Sequence, residues 1–511
     1  MDILARGKYV IADPEAGKDG ILTDSAVYCS EGRVVETGDY EALRAHYPDA
    51  IVKGNGKQLL MPGIINGHSH GMGLTRPQQG LSYDFLENTL YDWAVNLPLN
   101  PEISAALCTM RHLRGGCTTI HHMNFGETSN ILESAVQSIE TYRNAGIRCT
   151  YSPGVRDINI LALDDTEFIK TLPRELQDIA RPMVCYDKEA VVNDFFEIFE
   201  ECYRRYNDDM TRIVFSPSWA HGCTDDFLQR VKDRADGLGK VPVHIHTLQT
   251  PIQRSFGLRK YGKSLVAHLD DIGLIDDNVT LGHAVYLSES DIELLAARGV
   301  SVTHHPSCNF AMRNGLAPVY YMYKAGVNVA LGIDDKGIND DDDGIMELKM
   351  IHLLHRVSGF DLINTPALDA YDVLKIGTVN TARVCGFNGE TGALKPGMMA
   401  DAILVDCEEM FETPWISPDA DIAEVFIHRA TGRHVNTAIV GGRVVMEDRR
   451  FPYIDEETVY KEARKEASRG IGSTQRIHAE NLQKIKPFYQ KWYDGWTDLE
   501  YNPFYILNSR T

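Results

Sequence analysis

The sequence predicts an α/β protein built on a (β/α)8 TIM barrel, with a small composite β-sandwich domain assembled from both chain ends. Three observations carry that expectation. Between about residues 60 and 385, short β-branched apolar runs alternate with longer amphipathic stretches, the pattern of a parallel sheet covered by helices. The runs number eight, the strand count of a closed barrel. The two flanks read as short strands with Gly-bearing turns, and each alone would be half a sheet.

Taken in order, the first flank carries YVIADP, AVYCSEGRVVETG and GKQLLMPG. The barrel runs are LLMPGIINGHSH near 60–70, TTIHHM at 118–123, IRCTYSPGVRD at 147–157 and RIVFSPSW at 212–219. VPVHIH follows at 241–246, NVTLGH at 278–283, GVSVTHH at 299–305 and GVNVALGID at 326–334. Segments such as TDDFLQRVKDRADGLG (224–239) and SDIELLAARG (290–299) repeat apolar residues at helical spacing. The second flank returns to strands in GALKPGMMADAILVD and NTAIVGGRVVMED. The expected division is a composite β-domain from 1–60 and 385–454, a barrel over 61–384, and a helical, aromatic-rich extension over 455–511. The acidic run Asp340–Asp343 reads as a solvated loop.

Composition narrows the function classes. The 511 residues carry 51 Lys and Arg against 72 Asp and Glu, a net charge of −21. That balance excludes a nucleic-acid groove or an anionic membrane surface, which need clustered cations. No apolar run approaches the roughly 18 residues of a membrane helix, and the first residues read as a folded strand. Ten cysteines without a CxxC pair fit a reducing cytosol better than a disulfide framework. The aromatic tail at 485–505 must be covered by the barrel or by a neighbouring subunit, and a homodimer or larger homo-oligomer is the expected state.

The chemistry is carried by the strand ends. His68 and His70 form an H-x-H pair, and residues i and i+2 of a strand face one side, so both imidazoles reach one ion. Neutral imidazole suits a borderline divalent metal. Two histidines do not hold a catalytic ion firmly, and further donors stand at other strand ends: His246 in HIH, His283 after VTLG and Asp334 in LGID. Of the adjacent pairs His121/His122 and His304/His305, at most one member each faces the lumen.

The strings MPGIINGHSH, GCTTIHH, VHIH, VTLGH, LGIDD and GALKPGMMADAILVD resemble the amidohydrolase superfamily. The similarity is strongest to its chlorohydrolase and aminohydrolase branch, which contains triazine hydrolases, methylthioadenosine/adenosylhomocysteine deaminases and guanine deaminase. The resemblance implies one divalent ion per chain, zinc first and iron, manganese or cobalt as alternatives, held by His68, His70, His246 and Asp334. It implies that His283 orients the attacking water or polarises the substrate, and that Asp334 also accepts the water's proton. One position departs from the family: the branch carries a glutamate three residues after the strand-five histidine, and here that residue is Gln249. A carboxamide donates and accepts hydrogen bonds but does not titrate.

These readings define a mononuclear metal-dependent hydrolase that cleaves a non-peptide C–N bond of a small aromatic or N-heterocyclic compound. An amide, urea or carbamate needs no Glu-type acid and is the preferred substrate type. The alternatives are a deaminase or dechlorinase of a ring, or a non-catalytic metal-binding scaffold. His305, Asn309, Trp219, Arg156 and His122 are the candidate substrate contacts, each also compatible with a structural role.

Overall fold

A computed structural model of the chain describes residues 2–124, 130–356 and 367–497. Each of the eight apolar runs is a strand or contains one: Ile64–Ser69, Cys117–Asn124, Arg148–Val155, Thr211–Ile213 with Ser216–Pro217, Val243–Thr247, Val279–His283, Ser301–His304 and Asn328–Leu331. Their pairings are parallel throughout, in two arcs. The arcs join at the Phe215–Val243 and Trp219–His246 bridges. On the other side, the Ile333 and Asp334 amides donate to the His68 carbonyl at 3.2 and 2.9 Å. The barrel is thereby closed.

Helices begin where the sequence offers caps. Pro101–Arg114 starts at Asn100, whose side chain accepts from the Glu102 amide at 2.8 Å, with proline in the first turn. Ser288 and Asp291 form a reciprocal capping box ahead of Glu289–Arg298. Buried faces of these helices join the barrel strands in one large apolar cluster that includes Phe199, Phe215, Val243, Leu281 and Val302.

Both flanks meet in one mixed eight-stranded sheet. Its order is Arg443–Met446, Val435–Val440, Ala402–Asp406, Gln58–Pro62, Ile3–Ile11, Ile21–Ser30 and Arg33–Asp39, with Ile51–Lys53 beside Ile3–Ile11. Leu60 pairs with Val10 on one side and with Leu404 on the other. The sheet is tied to the barrel by a buried bidentate pair. Arg148 Nε and Nη2 donate to the Asp401 carboxylate at 2.5 and 2.9 Å, and the Gly441 amide donates to Asp401 Oδ1 at 2.7 Å.

One expectation is corrected. The run Asp340–Asp343 is not a solvated loop. Asp342 and Asp343 are buried, Asp342 accepting from Arg111 Nε at 2.7 Å and Asp343 capping the helix Gly344–Leu354 while accepting from the Gly432 amide. Carboxylates placed where a helix start and a guanidinium need acceptors are satisfied in the interior. The described part of the aromatic tail takes the first of the two expected covers: Tyr489, Tyr493 and Trp496 are buried in a second cluster with Tyr91, Leu161 and Phe168, with Trp492 packed against it. Tyr501, Phe504 and Tyr505 lie outside the described residues.

Candidate metal and substrate site

The C-terminal strand ends converge on Asp334. His70 Nε2 stands 3.0 Å from Asp334 Oδ1, His68 Nε2 3.8 Å from the same oxygen and His283 Nε2 4.0 Å from Oδ2. The His68 and His246 rings are 4.7 Å apart and those of His70 and His246 5.5 Å. Chain direction at these ends is set by unusual backbone. His283 and Ala284 have φ of 69° and 48°, and Asp334 and Asp335 have φ of 59° and 52°. Consecutive non-glycine residues in the left-handed region are costly, and such strain persists where the surrounding structure over-determines it.

Hydrogen bonds at Nδ1 fix the imidazoles. His70 Nδ1 donates to the Met123 carbonyl at 3.0 Å and His246 Nδ1 to the Ser218 carbonyl at 2.5 Å, which leaves the Nε2 lone pair of each as the ligand atom. His68 Nδ1 meets His244 Nε2 at 3.0 Å, and its buried Nε2 has no hydrogen-bond partner. A fully buried ring nitrogen without a partner, facing a carboxylate and two further imidazoles, is the donor set a divalent ion completes. His68, His283, His305 and Asp334, and likewise His68, His70 and His246, bring one ligand atom each within 4.8 Å of one another. His305 is already engaged at both nitrogens, with Thr303 Oγ1 and with His283 Nδ1, each at 3.0 Å. His283 keeps Nε2 toward Asp334 Oδ2, which also accepts from Cys308 Sγ at 2.7 Å.

Electrostatics agree with ligation. Burial, then neighbouring histidines, pushes the pKa values of His68 and His246 well below the ordinary value, and burial lowers His283 to about 4. The rings stay neutral, as metal binding requires. Burial alone would raise the Asp334 carboxyl, but the Lys336 ammonium, then His70 and His283, hold it well below the usual carboxylate range. Lys336 Nζ donates to the Asp334 carbonyl at 2.7 Å and lies 3.2 Å from Asp334 Oδ1.

The pocket over this cluster has a volume of about 270 Å³, and Gln249, Trp219, Arg156, His283 and Lys336 are among its lining residues. Arg156 lies over the Trp219 ring at 5.2 Å. The other expected contacts are placed elsewhere. His122 Nδ1 meets the Tyr142 hydroxyl at 3.0 Å, its ring packed between Tyr142 and Tyr151, while His121 takes the lumen side. Asn309 Oδ1 lies 3.2 Å from His283 Nδ1, and His305 stands behind His283, so both orient that imidazole.

Sequence reasoning missed four members of the site. His244 backs His68, and the repeated H-x-H of HIH was a signal for it. Asn66 Oδ1 accepts from the His68 and Ile333 amides, and Asp335 accepts from Ser69 Oγ at 2.7 Å and from the His70 amide at 2.5 Å. Neither of these, nor Lys336, has a signature in one sequence.

A closed parallel barrel with a histidine–aspartate centre at the C-terminal strand ends defines a metal-dependent hydrolase of the TIM-barrel class. Residues 59–445 match the model of the amidohydrolase family, and residues 26–50 match the imidazolonepropionase-like composite domain of bacteria. The chain belongs to the amidohydrolase family, and its reaction is hydrolysis of a C–N bond other than a peptide bond by metal-activated water. It is 32% identical to a 5′-deoxyadenosine deaminase of Methanosarcina mazei, over 91% of this chain and 98% of that protein. A 5-methylthioadenosine/S-adenosylhomocysteine deaminase of Caldanaerobacter subterraneus subsp. tengcongensis is 29% identical, at 91% and 98% coverage. Among solved structures, a zinc-bound adenosine deaminase from Xanthomonas campestris superimposes with a TM-score of 0.77 at 25% identity, covering 92% of this chain and 98% of that one. A triazine hydrolase variant, at 21% identity and a TM-score of 0.73, shares the fold over 91% and 99% of the two chains. No helix among the described residues is long and apolar enough to cross a membrane.

Proposed function

We propose that the protein hydrolytically removes the amino group of an aminated purine-like ring carried on a nucleoside, releasing ammonia. The observation that carries this reading is the full-length similarity to adenosine-type deaminases, on a chain whose strand ends keep the histidine–aspartate centre. His68, His70, His246 and Asp334 would hold the ion, zinc being favoured by the zinc-bound relative of known structure. When bound, such an ion supplies Lewis acidity that brings the pKa of a water molecule toward 7.

The chain's own groups do the rest. Water adds its oxygen to the ring carbon bearing the amino group, and Asp334 accepts one proton. His283, held by Asn309 through Nδ1, presents Nε2 to the pocket to orient the water and the developing hydroxyl. The proton held by Asp334 is returned to the amino nitrogen as the C–N bond breaks, releasing ammonia and leaving a ring hydroxyl, whose proton moves to the adjacent ring nitrogen to give the carbonyl form. Trp219 gives the ring an aromatic wall, and Gln249 offers a hydrogen bond to a ring nitrogen without a proton of its own to exchange. A cytosolic location goes with this reading, supported by ten cysteines that are all free thiols.

Gln249 favours a second reading, hydrolysis of an amide, urea or carbamate, in which Asp334 alone resolves the intermediate. Ammonia release from a panel of aminated purine nucleosides, set beside amine or acid release from amides, ureas and carbamates, separates the two. Turnover of the nucleosides supports deamination. Turnover confined to the acyl compounds overturns it.

A further inference from the structure

We propose that Cys308 is a positioning residue of the hydrolysis: its thiol donates to Asp334 Oδ2 and keeps that oxygen beside His283, leaving Oδ1 for the ion. The inference rests on Asp334 as the proton acceptor, a role that both readings above share.

The placement follows from chain order. The barrel strands Val279–His283, Ser301–His304 and Asn328–Leu331 pair side by side, so the segment after the middle strand lies between His283 and Asp334. That segment is the short helix Pro306–Ala311, entered through a proline in its first turn. Three consecutive residues of this helix reach three different partners. The Ser307 amide donates to Glu347 Oε2 at 3.1 Å and its hydroxyl donates to Oε1, which ties the helix to Gly344–Leu354. Cys308 Sγ lies 2.7 Å from Asp334 Oδ2, and Asn309 Oδ1 lies 3.2 Å from His283 Nδ1. Successive helical residues point about 100° apart, which is how neighbours in sequence reach groups on the two flanking strands.

The two oxygens of Asp334 are thereby divided. Oδ1 faces His70, Lys336 and His68, at 3.0, 3.2 and 3.8 Å. Oδ2 faces the thiol and, 4.0 Å away, His283 Nε2, and both His283 and Asp334 line the metal pocket. The torsion that turns a carboxylate is broad and two-fold, so a donor on one oxygen decides which of the two meets the ion and which meets the water. A thiolate here would set two anions 2.7 Å apart, so the sulfur carries its proton and donates. The sulfur belongs to neither cluster of ligand atoms at this centre. Cys308 is fully buried and packs with Leu86 and Met312. A thiol is a weak donor, which orients the oxygen and leaves most of its basicity for the water's proton.

The contact is read directly from the S–H infrared stretch, which falls in a window free of other protein bands. The Cys308 band, isolated by subtracting the spectrum of Cys308→Ala, should lie below the free-thiol position with and without zinc. It should move up toward that position in Asp334→Asn. Cobalt-substituted protein should show no sulfur-to-cobalt charge-transfer band, because the sulfur is a donor and not a ligand. Turnover is then compared at saturating zinc on the aminated purine nucleoside that reacts fastest. Cys308→Ala should lower kcat about 10- to 100-fold with KM held within about threefold, and Cys308→Ser, which keeps a donor, should recover most of kcat. Thermal unfolding confirms that each variant is folded. A Cys308 band at the free-thiol position, a charge-transfer band, an unchanged kcat in Cys308→Ala, or a Cys308→Ser no better than Cys308→Ala overturns the assignment. Ammonia released from no nucleoside sinks the deaminase reading alone, and the variants are then compared on the acyl compound that reacts fastest.

Discussion

Asp335 is the residue through which the last barrel strand sets the position of Ser69 and His70, and its removal is calculable. Its carboxylate accepts from Ser69 Oγ and the His70 amide, at 2.7 and 2.5 Å, in a fully closed interior. In Asp335→Asn the remaining oxygen can keep the His70 amide, while the Ser69 hydroxyl rotates to accept from the new NH2. What is lost is charge assistance, worth about 1 kcal/mol per bond and thus about 1–2 kcal/mol in all. Asp335→Ala leaves two buried donors unsatisfied, at about 1–3 kcal/mol each. Asp335→Ala alone releases the backbone of His70, and losing such a support typically costs about 10- to 100-fold in metal affinity. Denaturant unfolding of metal-free protein measures the first quantity, and chelator competition for zinc the second. Asp335→Ala with wild-type stability and wild-type zinc affinity would refute the reasoning.

Other outcomes follow from the same structure. Asp401→Asn leaves the buried Arg148 guanidinium without its counter-charge and should destabilise the fold by about 3–5 kcal/mol in denaturant titration, while Arg148→Met with Asp401→Leu should recover much of the loss. Burial pushes the Glu347 carboxyl up from 4.5 to about 8. The folded chain then holds a proton that the unfolded chain releases, so this stability is full below pH 4.5 and lost as pH rises through 8. Glu347→Gln should flatten the fall in unfolding midpoint over that window, and an unchanged profile would count against it. Gln249→Ala should lower turnover by about 10²- to 10³-fold if its carboxamide stabilises developing charge, and a loss under threefold removes Gln249 from the chemistry. Asp334→Asn removes both a ligand and the proton acceptor, and should abolish zinc retention and turnover together.

The barrel was legible because β-branched runs of four to eight residues, ending in His or Asp, state both strand and face. His68, His70, His246, His283 and Asp334 were found that way, and the structure gathers all five. Alternation along a strand gives the side a residue faces but not its ring orientation, so it did not foresee that His122 packs between Tyr142 and Tyr151 or that His305 and Asn309 stand behind His283. Lys336, Asp335 and Asn66 act through neighbours more than 200 residues away in sequence or through a left-handed turn, and composition carries no trace of either. The acidic run failed for a related reason: Arg111 and the Gly432 amide, which bury it, come from distant segments.

The strand Gln58–Pro62 has an N-terminal neighbour on one edge and Ala402–Asp406 on the other, with Leu60 and Leu404 paired across 344 residues of chain. During synthesis at about 5–20 residues per second, that second edge therefore stays open for roughly 17–70 s after the first is made. Through this interval the ribosome-bound chain presents unpaired backbone amides and carbonyls beside Leu59, Leu60 and Met61, a template for strand addition by other nascent chains. Slower elongation lengthens the exposure, and premature termination before residue 402 makes it permanent.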